Sequence, residues 1–187
     1  KIVSSNPDNL VIMDEAYMAF CGESCMELVN KYDNLLVTRT FSKSHSLAGL
    51  RVGFGIASKE IIDDLNKLKY SFNPYNLNTL SIKAAAAAIA DNEYYDDRIA
   101  RIVETREKAI ADLRALGFNC TDSKAHFIFA SSDKIQAADL AAELRKKGIL
   151  VRYFNKAKID NYLRITVGSA EDMQTLVDSI KDILAEV

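Results

Sequence analysis

Short apolar runs separated by turns fill the first third of the chain. Leu10-Val11-Ile12-Met13, Leu35-Leu36-Val37-Thr38 and Val52-Gly53-Phe54-Gly55-Ile56-Ala57 each have the length of a strand. Their branched, apolar make-up suits the interior of a sheet covered on both faces. From Lys59 to Lys69 the apolar positions Ile61, Ile62, Leu65 and Leu68 form one stripe at helical spacing, which predicts an amphipathic helix. The proline in Ser71-Phe72-Asn73-Pro74-Tyr75-Asn76 predicts a loop there.

From Asn78, Leu80-Ser81-Ile82-Lys83 runs into five alanines, Ala84 to Ala88. Alanine loses no side-chain entropy on becoming helical, so this segment reads as a packing helix. A longer helix is expected from about Asp91 to Leu116, with Ile99, Ile102, Val103, Ile110, Leu113 and Leu116 on one side, a Glu104/Lys108 pair, and Gly117 as its stop. Beyond Gly117 the pattern predicts strand Phe127–Ala130, helix Ile135–Lys147 ended by Gly148, strand Ile149–Tyr153, strand Tyr162–Val167 and helix Ala170–Ala185. The last helix opens on Ser169 and presents Met173, Leu176, Val177, Ile180 and Ile183 to a core. The expected organisation is residues 1–90 as part of one α/β domain, 91–116 as a linking helix and 117–187 as a small α+β domain.

Composition narrows the function classes. The chain has 187 residues, 24 Lys+Arg against 26 Asp+Glu, and 49% hydrophobic residues. This is an ordinary globular composition for one or two domains, and it excludes disordered, collagen-like and disulfide-scaffold classes. Charges of both signs are mixed along the chain, giving no field for nucleic acid or an anionic membrane. No stretch approaches the roughly 18 apolar residues of a membrane span, and no signal-peptide pattern opens the chain, so a cytoplasmic location is expected. Cys21, Cys25 and Cys120 are expected as reduced thiols with structural roles, because Cys21 and Cys25 lack further ligands for zinc. No metal site is expected. The opening on Lys1, directly into an apolar run, suggests a piece of a longer protein.

Chemistry concentrates between two of the predicted strands. Thr38-Arg39-Thr40-Phe41-Ser42-Lys43 leads to Leu47-Ala48-Gly49-Leu50-Arg51-Val52-Gly53, and loops leaving the carboxyl ends of strands are where α/β proteins place ligands. Lysine ordinarily titrates near 10.4, and desolvation or nearby cations are what free its amine to attack a carbonyl. Arg51 could supply such a cation and, with Thr40 and Ser42, bind a phosphate. In Leu163-Arg164-Ile165-Thr166-Val167 the alternation sends Leu163, Ile165 and Val167 to the core and Arg164 to the opposite face.

Thr40-Phe41-Ser42-Lys43 with Leu47-Ala48-Gly49-Leu50-Arg51-Val52-Gly53 resembles the cofactor-lysine motif of the fold-type I, pyridoxal-phosphate-dependent aminotransferases. Asp14-Glu15-Ala16-Tyr17 after a strand resembles their second cofactor motif, and Asn73-Pro74-Tyr75-Asn76 and Leu163-Arg164-Ile165-Thr166-Val167-Gly168 extend the likeness along essentially the whole chain. Within the class it is most similar to the histidinol-phosphate aminotransferases. The resemblance implies an α/β fold made of the last strands and helices of the large cofactor domain plus a small α+β C-terminal domain.

It also implies roles. Lys43 would hold the aldehyde of pyridoxal 5'-phosphate as an internal Schiff base and then move the substrate's Cα proton. Asp14 would pair with the pyridine nitrogen, Tyr17 would hydrogen-bond the ring's phenolate oxygen, and Arg51, Thr40 and Ser42 would hold the phosphate. Arg164 would grip the substrate's anionic group, and Arg152 its phosphate. His45 and His126 are expected to be structural. The implied reaction is amino transfer between histidinol phosphate, or a related amino compound, and 2-oxoglutarate, in histidine biosynthesis and in a homodimer. A threonine-phosphate decarboxylase is the neighbouring reading within the class, and a non-catalytic remnant of the fold is the reading outside it.

Family members carry a preceding segment with a phosphate loop, a ring-stacking aromatic and an asparagine that this sequence does not contain. The chain alone is therefore expected to be inactive or nearly so, and to associate through exposed strand edges.

Overall fold

A computed structural model describes residues 1–186. The chain forms two compact units, Lys1–Asp97 and Arg98–Val187.

In the first unit β1 (Val11–Asp14), β2 (Leu35–Thr40) and β3 (Gly53–Ile56) form one sheet in the order β1-β2-β3. β1 runs parallel to β2, pairing Asp14 with Thr38, and β3 runs antiparallel to β2, pairing Gly53 with Thr40. Only the central strand is covered as the sequence pattern predicts: Leu35, Leu36 and Val37 are buried, whereas Ile12 and Phe54 are exposed. β1 and β3 are the sheet's two edges among the described residues, so each has a flank without a neighbouring strand.

Helix α1 (Lys59–Phe72) outruns its expected end at Lys69. Ser71 stays helical, its hydroxyl donating to the Lys67 carbonyl at 2.8 Å, and the helix stops at the residue before Asn73-Pro74, where proline disfavours helical backbone. Its apolar stripe is not buried: Leu65 and Leu68 face solvent. Helix α2 (Thr79–Ala90) begins as expected, Asn78 accepting the Ser81 amide at 2.8 Å. Its small side chains Ala85 and Ala88 pack with Phe41 and Val52 in one buried cluster, so the alanine run closes on the loop that carries the motif lysine. The fully buried Ser81 hydroxyl donates to Leu50 O at 3.0 Å and pins the same loop.

Helix α3 (Asn92–Ala115) spans the division between the units. Its C-terminal part buries Arg106, Ala109, Ile110 and Leu113, while Ile99, Ile102, Val103 and Leu116 are only half-buried. Lys108 pairs with Asp112 at 2.6 Å and not with Glu104, its Nζ also donating to Gln174 Oε1 at 3.2 Å. The second unit's sheet, in the order β4-β5-β7-β6, is wholly antiparallel: β4 (Phe118–Cys120), β5 (Phe127–Ser132), β6 (Arg152–Tyr153) and β7 (Tyr162–Thr166). Gly117 and Gly148, both at positive φ, end the helices before them.

β4 escapes the sequence pattern because three residues show no period. β6 is shorter than expected because Ile149 stays tied to helix α4 (Ala137–Lys146), donating to Leu144 O at 2.9 Å, and Leu150 is exposed. α4 starts later than expected, where Asn161 accepts the Ala137 amide at 3.0 Å. Helix α5 (Ala170–Ala185) has the expected bounds and core face, and its start carries a reciprocal cap between Ser169 and Asp172. The core joins Ile128, Ala130, Leu163 and Ile165 to the apolar faces of α3, α4 and α5. It covers one face of the sheet, and Arg164 points to the other, as the alternation predicts.

Candidate active site

Because β1 and β2 are parallel and β3 antiparallel, the carboxyl ends of β1 and β2 and the amino end of β3 share one edge. Asp14 closes β1, Thr40 closes β2, and Arg51 directly precedes Val52 and β3. The topology therefore brings Asp14, Tyr17, Thr40, Ser42, Lys43 and Arg51 to the same edge, although they span 38 positions of sequence. Strand ends of this kind are the usual ligand-binding positions of α/β sheets.

Asp14 Oδ1 accepts the Ala16 amide at 3.0 Å, turning the chain sharply after β1. Tyr17 then begins the short 3-10 helix Met18–Phe20. The half-buried Lys43 extends toward it, with Nζ 5.2 Å from the centre of the Tyr17 ring. No carboxylate pairs with Lys43 among the described residues. The Thr40 hydroxyl accepts the Ser42 amide at 3.1 Å and donates to Ser42 Oγ at 2.8 Å, which sets two hydroxyls side by side. Arg51 sits at φ 54°, in the left-handed region, its Nη1 donating to Ala48 O at 3.1 Å. A non-glycine residue held there carries backbone strain, a frequent mark of a functional position.

Two residues of this region were not singled out by the sequence. Glu15 is buried, and its carboxylate accepts from Arg39 Nε at 2.9 Å, from Ser24 Oγ at 2.9 Å and from the Cys25 amide. Arg39 Nη2 also donates to Ser24 Oγ at 2.8 Å. The network fastens the turn bearing Asp14 and Tyr17 to the strand bearing Thr40. The only hint in the sequence is that Glu15 lies inside one motif and Arg39 directly precedes the other.

Gly53 allows the close approach beneath the site: a Cβ there would lie 2.7 Å from Arg39 O. His45 packs between Phe41 and Tyr95, its ring centre 4.9 and 4.7 Å from theirs, and Nδ1 is 2.9 Å from Ser44 Oγ. Burial pushes the imidazole below its usual pKa; Asp96 opposes this and Arg39 adds to it. His126 is half-buried and lies edge-on to Phe127 at 5.9 Å.

In the second unit, Arg152 of β6 and Arg164 of β7 are direct cross-strand partners on the face away from the core. Neither has a carboxylate partner among the described residues. Arg164 lies over the Phe127 ring at 5.6 Å, and both arginines lie over Phe154. Cys21, Cys25 and Cys120 are free thiols. No cluster of metal-ligating side chains occurs among the described residues, and no helix there is long and apolar enough to cross a membrane.

The family model for aminotransferase class I and II matches residues 1–180. The chain belongs to that family. This aminotransferase-family chain is 51% identical over 185 residues to a histidinol-phosphate aminotransferase of Brachyspira hyodysenteriae, covering 98% of the chain and 52% of that relative. It is similar in fold to the crystal structure of the histidinol-phosphate aminotransferase from Clostridium acetobutylicum, with a TM-score of 0.90 at 24% identity, over 100% of this chain and 58% of that one. The crystal structure of L-threonine-O-3-phosphate decarboxylase from Porphyromonas gingivalis shares the fold at a TM-score of 0.80 and 22% identity, over 98% of this chain and 57% of that one. The chain spans about half the length of the curated relatives it matches.

Proposed function

We propose that the protein carrying this chain is a pyridoxal-phosphate-dependent aminotransferase that exchanges the amino group of histidinol phosphate with 2-oxoglutarate, in histidine biosynthesis. The observation that carries the reading is the meeting of two motifs at one sheet edge, with Lys43 Nζ set against the Tyr17 ring. The donor set fits the cofactor: an amine with no carboxylate partner among the described residues, an adjacent hydroxyl pair, a strained arginine and a carboxylate at a strand end.

Lys43 would hold the cofactor through its aldehyde, Asp14 would face the pyridine nitrogen and Tyr17 the ring oxygen. Thr40, Ser42 and Arg51 would anchor the phosphate. When bound, the cofactor supplies an electron sink for the pair left when the substrate loses its Cα proton. Lys43 Nζ is then the base that takes this proton, and lysine is the one side chain suited both to holding the aldehyde and to moving the proton. Arg164 and Arg152 would take the substrate's anionic end, and two guanidinium groups without carboxylates match the two charges of a phosphomonoester.

A homodimer in the cytoplasm completes the reading. Its support is the exposed apolar surface of the first unit, where Phe72 is 87% and Tyr75 is 92% accessible. The test is product analysis. Glutamate formed from histidinol phosphate and 2-oxoglutarate supports the assignment; carbon dioxide released from phosphothreonine, with no glutamate from the first pair, contradicts it.

A further inference from the structure

Arg152 and Arg164 face each other across β6 and β7, and like charges directly opposite on antiparallel strands repel. No carboxylate among the described residues relieves them. What the two share is an aromatic ring: the guanidinium carbons lie 5.4 Å (Arg152) and 6.0 Å (Arg164) from the centre of Phe154. Phe154 is itself braced, edge-on to Phe129 at 6.3 Å, and Phe129 stacks on Tyr162 at 4.5 Å with only 11° between the planes.

A ring and a carboxylate neutralise arginine differently. A carboxylate occupies the N–H donors, whereas a ring attracts the cation through its face and leaves the in-plane donors open. An aromatic support therefore offsets the repulsion while keeping both guanidinium groups ready for an incoming anion. A phosphomonoester has the charge and the oxygens to engage both, and a carboxylate has fewer of each.

We propose that Phe154 is a specificity-determining positioning residue, holding Arg152 and Arg164 in cross-strand register so that a phosphomonoester substrate is preferred over its unphosphorylated counterpart. The inference rests on the assignment of the two arginines to the substrate's anionic end. Phe154 acts through them and is not itself asked to touch the substrate.

The test measures kcat and KM of the full protein, loaded with pyridoxal phosphate, on histidinol phosphate and on histidinol. Phe154→Leu is expected to raise KM for histidinol phosphate about tenfold, which corresponds to losing cation–π attraction of about 1.4 kcal/mol. kcat and the KM for histidinol should stay as in the parent. Phe154→Tyr, which keeps the ring, should restore most of the preference. Phe154→Met is the second ringless variant should the leucine variant fail to fold. If Arg152→Ala and Arg164→Ala abolish the preference while both ringless variants keep it, the role of Phe154 is overturned. If the arginine variants keep the preference, the anion assignment beneath it falls instead.

Discussion

The Glu15 carboxylate and the Arg39 guanidinium, 24 positions apart in sequence, meet at 2.9 Å at the base of the candidate active site. Glu15 is the more buried of the two, with 5% of its side chain accessible against 23% for Arg39. Removing either partner should therefore leave a charge in a desolvated setting. Each arm of the pair holds one half of the site, since Asp14 and Tyr17 flank Glu15 while Thr40 and Ser42 follow Arg39.

Replacing Arg39 with Met should destabilise the protein by about 2–3 kcal/mol, the cost of taking the charged hydrogen-bond donor from a buried carboxylate that keeps only the Ser24 and Cys25 donors. Urea unfolding measures this. Combining it with Glu15→Leu should recover part of the loss, because the stranded charge is gone. A double variant whose loss equals the sum of the losses of Arg39→Met and Glu15→Leu measured singly would show that the two residues are not coupled.

Gly53→Ala tests the close approach of β3 to β2. The added methyl group meets the Arg39 carbonyl oxygen, which is backbone and cannot swing aside. A loss of about 1–3 kcal/mol is expected from forced overpacking, together with weaker cofactor binding, because Thr40 pairs with Gly53. Equilibrium dialysis against pyridoxal phosphate measures the second effect, and undiminished binding and stability would show that the strands can part freely.

His45 gives the account a pH dependence. Burial lowers its folded-state pKa below the unfolded value of about 6.5, so the unfolded chain takes the proton first as pH falls. Its contribution is complete above about pH 6.5 and is lost progressively between there and the lowered folded value. Thermal melts from pH 8 down should show the wild type losing more stability through this window than His45→Gln. Equal slopes would mean that Asp96 cancels the burial effect.

The order of elements was legible because periodicity survives in segments as long as α3 and α5. So was the gathering of Lys43 and Tyr17, since each lies in a motif attached to a strand. Other features depend on contacts that no local pattern encodes. The Glu15–Arg39 pair joins distant charges that read singly as solvated surface. Phe154 meets two arginines only through the register of the two-residue strand β6. The late start of α4 depends on Asn161, 24 residues away. The exposure of Ile12 and Phe54 depends on what covers the faces of the sheet at those positions, a property of the packed unit and not of the strand.

Borohydride trapping tests the role of Lys43 most directly. The protein is incubated with pyridoxal phosphate, reduced, digested and mapped by mass spectrometry. The added phosphopyridoxyl group is expected on the peptide containing Lys43 and is expected to disappear in Lys43→Ala. Equal labelling of the alanine variant, or label confined to another lysine, would contradict that role.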